Sequence, residues 1–395
     1  MVIFLAGATG MIGARVAQAL VAAGHSVVCG VRDPVGAAQR LRGCRLVHVD
    51  FAAARDVASW MPLLAGVDVV INAVGIFSDA TGNDFRRLHT EPPVALFKAA
   101  VTAGVRRIVQ ISALGADASA QTAYHRSKLA ADEALLALPV SSLIVQPSLV
   151  FAPEGRSTRF FAAWATLPVV PLPGSGAQRI QPVHIDDVVE LIVAGALAAP
   201  GRDGPGATPG PPRRVPAVGR EPMTLKDYLA VLRRVAGGPR GWFVPVPVAL
   251  VRFATRLGAL LPGSLMNADA LAMLERGNVA PTERFERLVG RPPRALSEMP
   301  AEPESFGTPA RLMWLLPLLR ASIAAVWIWT AIVSAGLYPR ASSLELLARV
   351  GAPALGALLL YGAALLDLVF GVLSLAWPRR LGSGRARGFG SCRWR

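Results

Sequence analysis

Lysine is almost missing from this chain of 395 residues: Lys98, Lys128 and Lys226 are the only three, against a combined 41 lysines and arginines. The formal net charge of +15 is therefore carried by arginine. The ordinary reading is a genome rich in arginine codons. The sharper one is attraction to anions, either cofactor phosphates or lipid headgroups. Nucleic acid is excluded as a partner, because no basic helix with interleaved aromatics and no nucleic-acid-binding motif is present. Cysteine is equally scarce. Cys29, Cys44 and Cys392 show no spacing pattern, which excludes a disulfide framework and a cysteine-based zinc site. Cys29 and Cys44 sit beside apolar runs and read as core thiols of a reducing compartment. Charged residues make up only 17% of the chain and hydrophobic ones 53%, too apolar for disorder and suited to a membrane part.

What is present begins at the N-terminus. Met1–Gly24 is apolar, but no cationic segment precedes it and no small-residue cleavage site closes it. It reads as a buried strand, a glycine turn and a helix. Apolar runs then alternate with helical stretches. Strands are expected at Val2–Ala6, Ser26–Val31, Arg45–Val49, Val67–Asn72, Arg107–Ile111 and Ser142–Gln146. Helices are expected at Met11–Ala23, Phe85–Ala103 and Thr122–Leu138. Continuous apolar strands separated by helices predict a parallel sheet covered on both faces. Pro200–Pro216, rich in Gly, Pro and Arg, reads as a linker. Met223–Ala236 is helical from a cap at Thr224, Pro245–Leu261 is an apolar helix flanked by arginines, and Pro292–Pro309 is a second linker.

Beyond Arg320 the composition changes. No residue between Arg320 and Arg340 is charged, and between Arg349 and Arg379 Asp367 stands alone. Both runs reach the roughly 20 apolar residues that a membrane helix needs. Spans are predicted at 321–337 and 350–377, with tryptophans near their ends suited to the interface. A carboxylate inside such a span usually faces a partner; Arg320 is a candidate, or else it marks a helix end.

Three motifs carry chemistry. Gly7-Ala8-Thr9-Gly10-Met11-Ile12-Gly13 follows a strand and opens a helix, a turn through which a pyrophosphate can approach backbone amides. The second strand ends in Val31 and Arg32, where an acid commonly holds the ribose hydroxyls of NAD. A guanidinium there fits a 2′-phosphate, so NADP(H) is favoured, while Asp33 keeps NAD(H) compatible. Tyr124-His125-Arg126-Ser127-Lys128 places a phenol and an ammonium on one helix face, where the ammonium would lower the phenol's pKa and fit it for proton transfer. With four tyrosines and three lysines in the chain, this pairing is the most specific chemical signal. His184 before Asp186 and Asp187 reads as a helix cap, and no metal site is expected.

The glycine turn, Asn72-Ala73-Val74-Gly75, Ile111-Ser112-Ala113-Leu114-Gly115-Ala116, the Tyr124/Lys128 pair, Gln146-Pro147-Ser148 and Val183-His184-Ile185-Asp186-Asp187-Val188 resemble the short-chain dehydrogenase/reductase superfamily. The likeness is to its atypical extended branch, which includes the nucleotide-binding accessory subunit of respiratory complex I. It covers about residues 1–300. Tyr338-Pro339 and Leu360-Tyr361-Gly362 through Asp367 resemble a DoxX-like membrane domain, of which only two helices are found where four are usual. The resemblance implies that Tyr124 is the acid/base, that Lys128 tunes it and holds the nicotinamide ribose, and that Ser112 binds the substrate oxygen. It implies that Asp50 faces the adenine and that Ala73 and Gly75 line the cofactor cleft beside Gly7, Thr9, Gly10, Met11, Ile12 and Gly13. Ser112 and Tyr124 stand 12 residues apart, closer than in the sugar epimerases of the family.

The expected architecture is an α/β Rossmann-type doubly wound parallel sheet over 1–220, a small cap over 221–300 and an α-helical membrane region over 301–395. The expected activity is hydride transfer between NADP(H) and a carbonyl or alcohol carbon at the cytoplasmic face of a bacterial-type inner membrane. The apolar stretch Phe243–Leu261 suits a lipid-like or quinone-like small-molecule substrate, or else packs against the sheet. The rival readings are a non-catalytic NAD(P)H-binding assembly or regulatory factor of a membrane redox complex, and a cofactor-bound partner of a DoxX-like redox module.

Overall fold

A computed structural model describes residues 1–75, 88–198, 213–258, 268–349 and 355–376. The chain forms two compact units, Met1–Ala310 and Arg311–Arg395. Expectations for Phe85–Arg87, most of Pro200–Pro216, Val350, Cys392, Trp377 and the arginine-rich tail fall outside the described residues.

In the first unit, β1 (Val2–Ala6), β2 (Ser26–Val31), β3 (Arg45–His48), β4 (Val69–Asn72), β5 (Arg107–Ile111), β6 (Ser141–Pro147) and β7 (Arg213–Ala217) form one sheet in the order β7-β6-β5-β4-β1-β2-β3. Every pairing is parallel. The chain runs outward from β1 through β2 and β3, then returns to the other side of β1 at β4. That reversal opens a crevice at the carboxyl ends of β1 and β4, the place where doubly wound sheets bind ligands.

Alternation along the strands divides the core. Ile3, Leu5, Val27, Cys29 and Ile71 face the helices Met11–Ala22 and Ile185–Leu197. Phe4, Ala6, Val28, Val70 and Ile108 face the other side, with Trp60, Leu96, Phe97, Ala131 and Leu135. Sheet strands buried on both faces read as apolar throughout, which is why they stand out in the sequence. Cys29 is buried and Cys44 half-buried, and burial raises both thiols above their ordinary range.

The seventh strand corrects the linker expectation, since Arg213–Ala217 belongs to the sheet. It is an edge strand paired only with β6, and an edge tolerates the proline at 216. A third apolar cluster lies outside the sheet. Phe151, Trp164, Leu172, Tyr228, Leu229 and Leu232 pack between Arg156–Ala165 and Leu225–Val235, the latter helix opened by a reciprocal Thr224–Asp227 capping box. His184 caps Ile185–Leu197 by accepting from the Asp186 amide, as the sequence suggested. Asp187 is fully buried and is held by Arg291 at 2.7 Å, by the Arg294 side chain and by the Arg294 amide at 2.8 Å.

In the second unit, Thr308–Ile332 continues through a π-helical turn, Val333–Leu337, and Gly356–Ala376 follows after Arg340–Arg349. The first helix starts upstream of the expected residue 321 and carries Pro317 inside it. Its apolar run and that of Gly356–Ala376 have mean hydropathies of 1.7 and 2.2 and are almost unburied, so both are long and apolar enough to cross a bilayer. They pack closely at Gly371, where an added Cβ would lie 2.6 Å from Ile328 Cγ1. Arg320 lines an open groove of about 500 Å³ with Ile323, Trp327, Phe370, Leu373 and Ser374. Ser374 lies seven residues beyond Asp367, roughly 10 Å along a helix. The expected Arg320–Asp367 partnership is therefore not formed, and among the described residues no ion pair joins them.

Candidate functional site

The glycine turn is built for close backbone approach. Gly7 has φ of 80°, and a Cβ on it would lie 2.6 Å from the carbonyl carbon of Ala73. A Cβ on Gly13 would fall 2.3 Å from the Gly7 oxygen. Glycine at these two positions lets the end of β1, the start of Met11–Ala22 and the Ala73–Gly75 segment converge. Gly10 caps that helix without any side-chain hydrogen bond. The first amides of the helix thus keep their donors for an anion, which fits a dinucleotide pyrophosphate. Thr9, Met11 and Ile12 lie in the same turn and first helical residues.

At the end of β2, Arg32 is exposed. Asp33 is committed to local structure, accepting from the Gly36 amide at 3.0 Å as the cap of Pro34–Ala37. Asp50 is exposed and accepts from the Ala52 amide at 3.1 Å. Both acids therefore spend an oxygen on their own turns.

The helix Ala123–Leu136 begins because Thr122 accepts from the His125 amide. It brings Tyr124, Lys128 and, one further turn on, Asp132 to one face. Lys128 is buried, and its Nζ donates to the carbonyls of Val74 and Ile111, both at 3.1 Å. It thereby ties together the segments that leave β4 and β5 at the carboxyl edge of the sheet. A Cβ on Gly75 would lie 3.2 Å from Lys128 Nζ and 3.8 Å from His89 Nε2, so the space over Gly75 is bounded by these two side chains.

His89 was not singled out by sequence, yet it belongs to this corner. Its Nδ1 lies 3.0 Å from Ser127 Oγ, which itself donates to the Tyr124 carbonyl at 2.7 Å. The hydroxyl proton being used, Nδ1 carries the hydrogen and donates. Burial first, and the Lys128 charge second, hold His89 down to about 2, so the ring is neutral. Its ring meets Tyr124 edge-on, centroids 5.6 Å apart.

Ser112 leaves β5 with its amide bonded to the Val145 carbonyl, and its hydroxyl donates to Asp132 Oδ2 at 2.5 Å. Asp132 is completely buried, its Oδ1 has no hydrogen-bond partner, and burial raises its carboxyl above the usual range. Burial likewise lowers Lys128, an effect opposed by the Asp132 charge. Tyr124 departs from expectation. Desolvation, with a smaller push from Asp132, raises its phenol to about 12. The Lys128 ammonium donates to the Val74 and Ile111 carbonyls in this arrangement.

The structure thus brings together Gly7, Gly10, Gly13, Ala73, Gly75, Lys128, Tyr124 and Ser112 along one edge of the sheet, and adds His89 and Asp132. The signal for Asp132 was the continued spacing of four from Tyr124 and Lys128. Among the described residues no group of three or more His, Cys, Asp or Glu could hold a metal. On the cap side, Arg276 grips the Gly115 carbonyl at 2.9 Å and Asp117 at 2.6 Å, fastening Ala268–Arg276 to the loop after β5.

Comparison with known proteins agrees with this geometry. Residues 7–160 match an NAD(P)H-binding family, and residues 324–384 match the DoxX-like family. A ceramide reductase of Caulobacter vibrioides is 31% identical over 195 residues, 49% of this chain and 60% of that protein. The mitochondrial NADH dehydrogenase (ubiquinone) 1 alpha subcomplex subunit 9 of Mus musculus is 30% identical over 192 residues, 47% of this chain and 51% of that protein. The chain thus spans about half to three fifths of the length of these relatives. Among solved structures, an NADPH-dependent quinone oxidoreductase from Escherichia coli bound to NADPH superposes with TM-score 0.57 at 21% identity, covering 75% of this chain and 97% of that one. A UDP-glucuronic acid 4-epimerase from Bacillus cereus bound to UDP-glucuronic acid and NAD does so with TM-score 0.56 at 18% identity, covering 80% and 100%. Both share the fold. The chain thus pairs a region that matches an NAD(P)H-binding family with one that matches the DoxX-like family.

Proposed function

We propose that the protein is a membrane-tethered oxidoreductase that moves hydride between NADP(H) and a carbonyl or alcohol carbon of an apolar substrate. The observation that carries this reading is the helix face bearing Tyr124, Lys128 and Asp132 beside Ser112, at the carboxyl edge of the sheet next to the glycine turn. The cofactor supplies or accepts the hydride. Lys128 and the amides of Met11–Ala22 hold it, and the Tyr124 hydroxyl delivers the proton to the carbonyl oxygen, or takes it in the reverse direction. A phenol near 12 is a poor donor until the site is completed. To lower it, the Lys128 ammonium, now on two carbonyls, would have to turn toward Tyr124 when the cofactor is held. A lipid-like or quinone-like substrate agrees with the relative that reduces ceramide, with the fold neighbour that acts on quinone, and with the apolar helices of the second unit.

The test is Tyr124→Phe in the full chain, assayed for NADPH oxidation against ceramide-like ketones and quinones. A positioned acid/base contributes about 10²–10⁴ in rate, so turnover should fall about a hundredfold or more while NADPH affinity holds. Full activity in the variant would refute the role. A second reading, a non-catalytic NAD(P)H-binding subunit of a membrane redox complex, is favoured by the complex I relative. It predicts that Tyr124→Phe leaves the cellular phenotype of the protein unchanged.

A further inference from the structure

An apolar surface lies on the outside of the first unit. Strand Trp242–Val246 runs parallel to Val169–Pro173, with Trp242 opposite Val169 and Val244 opposite Pro171. Opposed and alternate residues share a face. That face is open: Val169 is 49% exposed, Trp242 77% and Val244 43%. The helix Val248–Gly258 follows at once and adds Leu250, 59% exposed, and Phe253, 61% exposed, three residues apart on one side. The apolar helix expected from sequence therefore does not spend these side chains on the sheet. Contiguous exposed apolar side chains of this size mark an interaction surface.

The charge pattern names the occupant. From Asp227 to Asp269 the sequence holds no acid in between and five arginines, of which Arg240 is exposed two residues before Trp242, while Arg252 is exposed but paired with Glu275 at 3.0 Å. Aromatic and aliphatic side chains rimmed by arginine are the pattern of a surface that sinks into the headgroup boundary of an anionic bilayer. The same chain carries two helices apolar enough to anchor it in a bilayer, so such a surface is within reach at high effective concentration. We propose that the ribbon Val169/Trp242/Val244 and the Leu250/Phe253 side of Val248–Gly258 dock onto the surface of an anionic phospholipid membrane. The proposal needs a tether but no catalysis, so it stands or falls apart from the hydride-transfer reading.

The test uses the full chain reconstituted in vesicles, with Cys44 and Cys392 replaced by serine and one cysteine introduced for an environment-sensitive fluorophore. Phe253→Cys reports the proposed surface. Val35→Cys, 87% exposed next to the β2 turn, reports a surface outside it. In phosphatidylcholine–phosphatidylglycerol vesicles, brominated lipid should quench the label at 253 severalfold more than at 35, and aqueous iodide the reverse. The lipid quenching at 253 should fall severalfold in phosphatidylcholine alone or at high salt. Equal quenching at the two positions, protection of 253 from both quenchers as under a protein partner, or indifference to the anionic lipid would each overturn the proposal. Trp242→Asp, an exposed change compatible with folding, should reduce the lipid quenching at 253, and unchanged quenching would likewise count against it.

Discussion

The Ser112 hydroxyl donates to Asp132 at 2.5 Å, and Asp132 stands one helical turn beyond Lys128 on the face that carries Tyr124. A serine that the family resemblance assigns to substrate is thus oriented, in this state, by a buried acid. The acid in turn supplies the negative charge that favours the Lys128 ammonium. Asp132 accordingly reads as a positioning residue. Its burial has a cost: the carboxyl is raised from its ordinary 3.8, so the folded protein holds that proton more tightly than the unfolded chain does. The stability it contributes is complete below about that value and is lost as pH rises through the raised pKa. Asp132→Asn keeps the shape and the acceptor for Ser112 but does not titrate. Between pH values of roughly 4 and 7, the thermal midpoint of the wild-type protein in detergent should therefore fall relative to that of the variant. A constant difference across that range would remove Asp132 from the titrating network.

Cofactor choice turns on the end of β2. Asp33 is occupied with the Gly36 amide, while Arg32 is exposed at the position from which a fork can meet a 2′-phosphate. A charge-assisted contact of this kind contributes about 1.5–3 kcal/mol. NADPH should therefore bind about tenfold to a hundredfold more tightly than NADH, and Arg32→Ala should erase the difference by weakening NADPH alone. Titration calorimetry decides it, and equal affinities that the substitution leaves untouched would exclude the NADP(H) preference.

The glycine turn offers a cleaner comparison, because two glycines share a backbone conformation and differ in surroundings. Gly7 has φ of 80° and Gly24 of 81°, but a Cβ on Gly7 would meet the Ala73 and Val74 backbone within 2.7 Å while one on Gly24 meets nothing within 4 Å. Gly24→Ala should cost only the left-handed penalty of about 1–2 kcal/mol and leave NADPH binding intact. Gly7→Ala should add a clash with main chain that cannot rotate away, displacing the Ala73–Gly75 segment and abolishing NADPH binding. Matched affinities in the two variants would show that this contact does not shape the cleft.

How much of this was legible in the sequence follows from what each residue depends on. Six of the strands and the glycine turn are local: the five inner strands are apolar runs buried on both faces, β3 is a short run at the far edge, and a glycine needed for backbone approach can be read without the rest of the fold. So can the face bearing Tyr124 and Lys128, which the same spacing extends to Asp132. The seventh strand was hidden because Arg213–Ala217 is short, charged and proline-bearing, and edge strands escape the apolar pattern. The Ser112–Asp132 bond and the place of His89 depend on how the segment after β5 meets the helix Ala123–Leu136, which no local pattern encodes. The supposed Arg320–Asp367 pair failed for a similar reason. The register of two helices is set by the Gly371–Ile328 contact, and that register places Arg320 by Ser374.

The last prediction concerns topology, and it rests on charge. If the expected span 321–337 and Gly356–Ala376 both cross the bilayer, Arg340–Arg349 lies between the crossings. That short segment carries two arginines: Arg349 is bonded to Glu345 at 2.7 Å, and Arg340 sits over the Tyr361 ring at 5.6 Å. Arg311 precedes the first crossing, and Arg379, Arg380, Arg385, Arg387, Arg393 and Arg395 follow the second. Positive charge within reach of helix ends collects on the cytoplasmic side. The expected arrangement therefore has both flanks of the hairpin inside, with the NAD(P)H-binding domain facing the cytoplasmic cofactor pool and Arg340–Arg349 outside. In an inner membrane, a green fluorescent protein fused after Arg395 should be bright and alkaline phosphatase fused there inactive, while phosphatase inserted at Ser343 should be active. Activity of the phosphatase after Arg395 would mean an odd number of crossings and would place one flank of this arginine-rich region on the far side of the membrane.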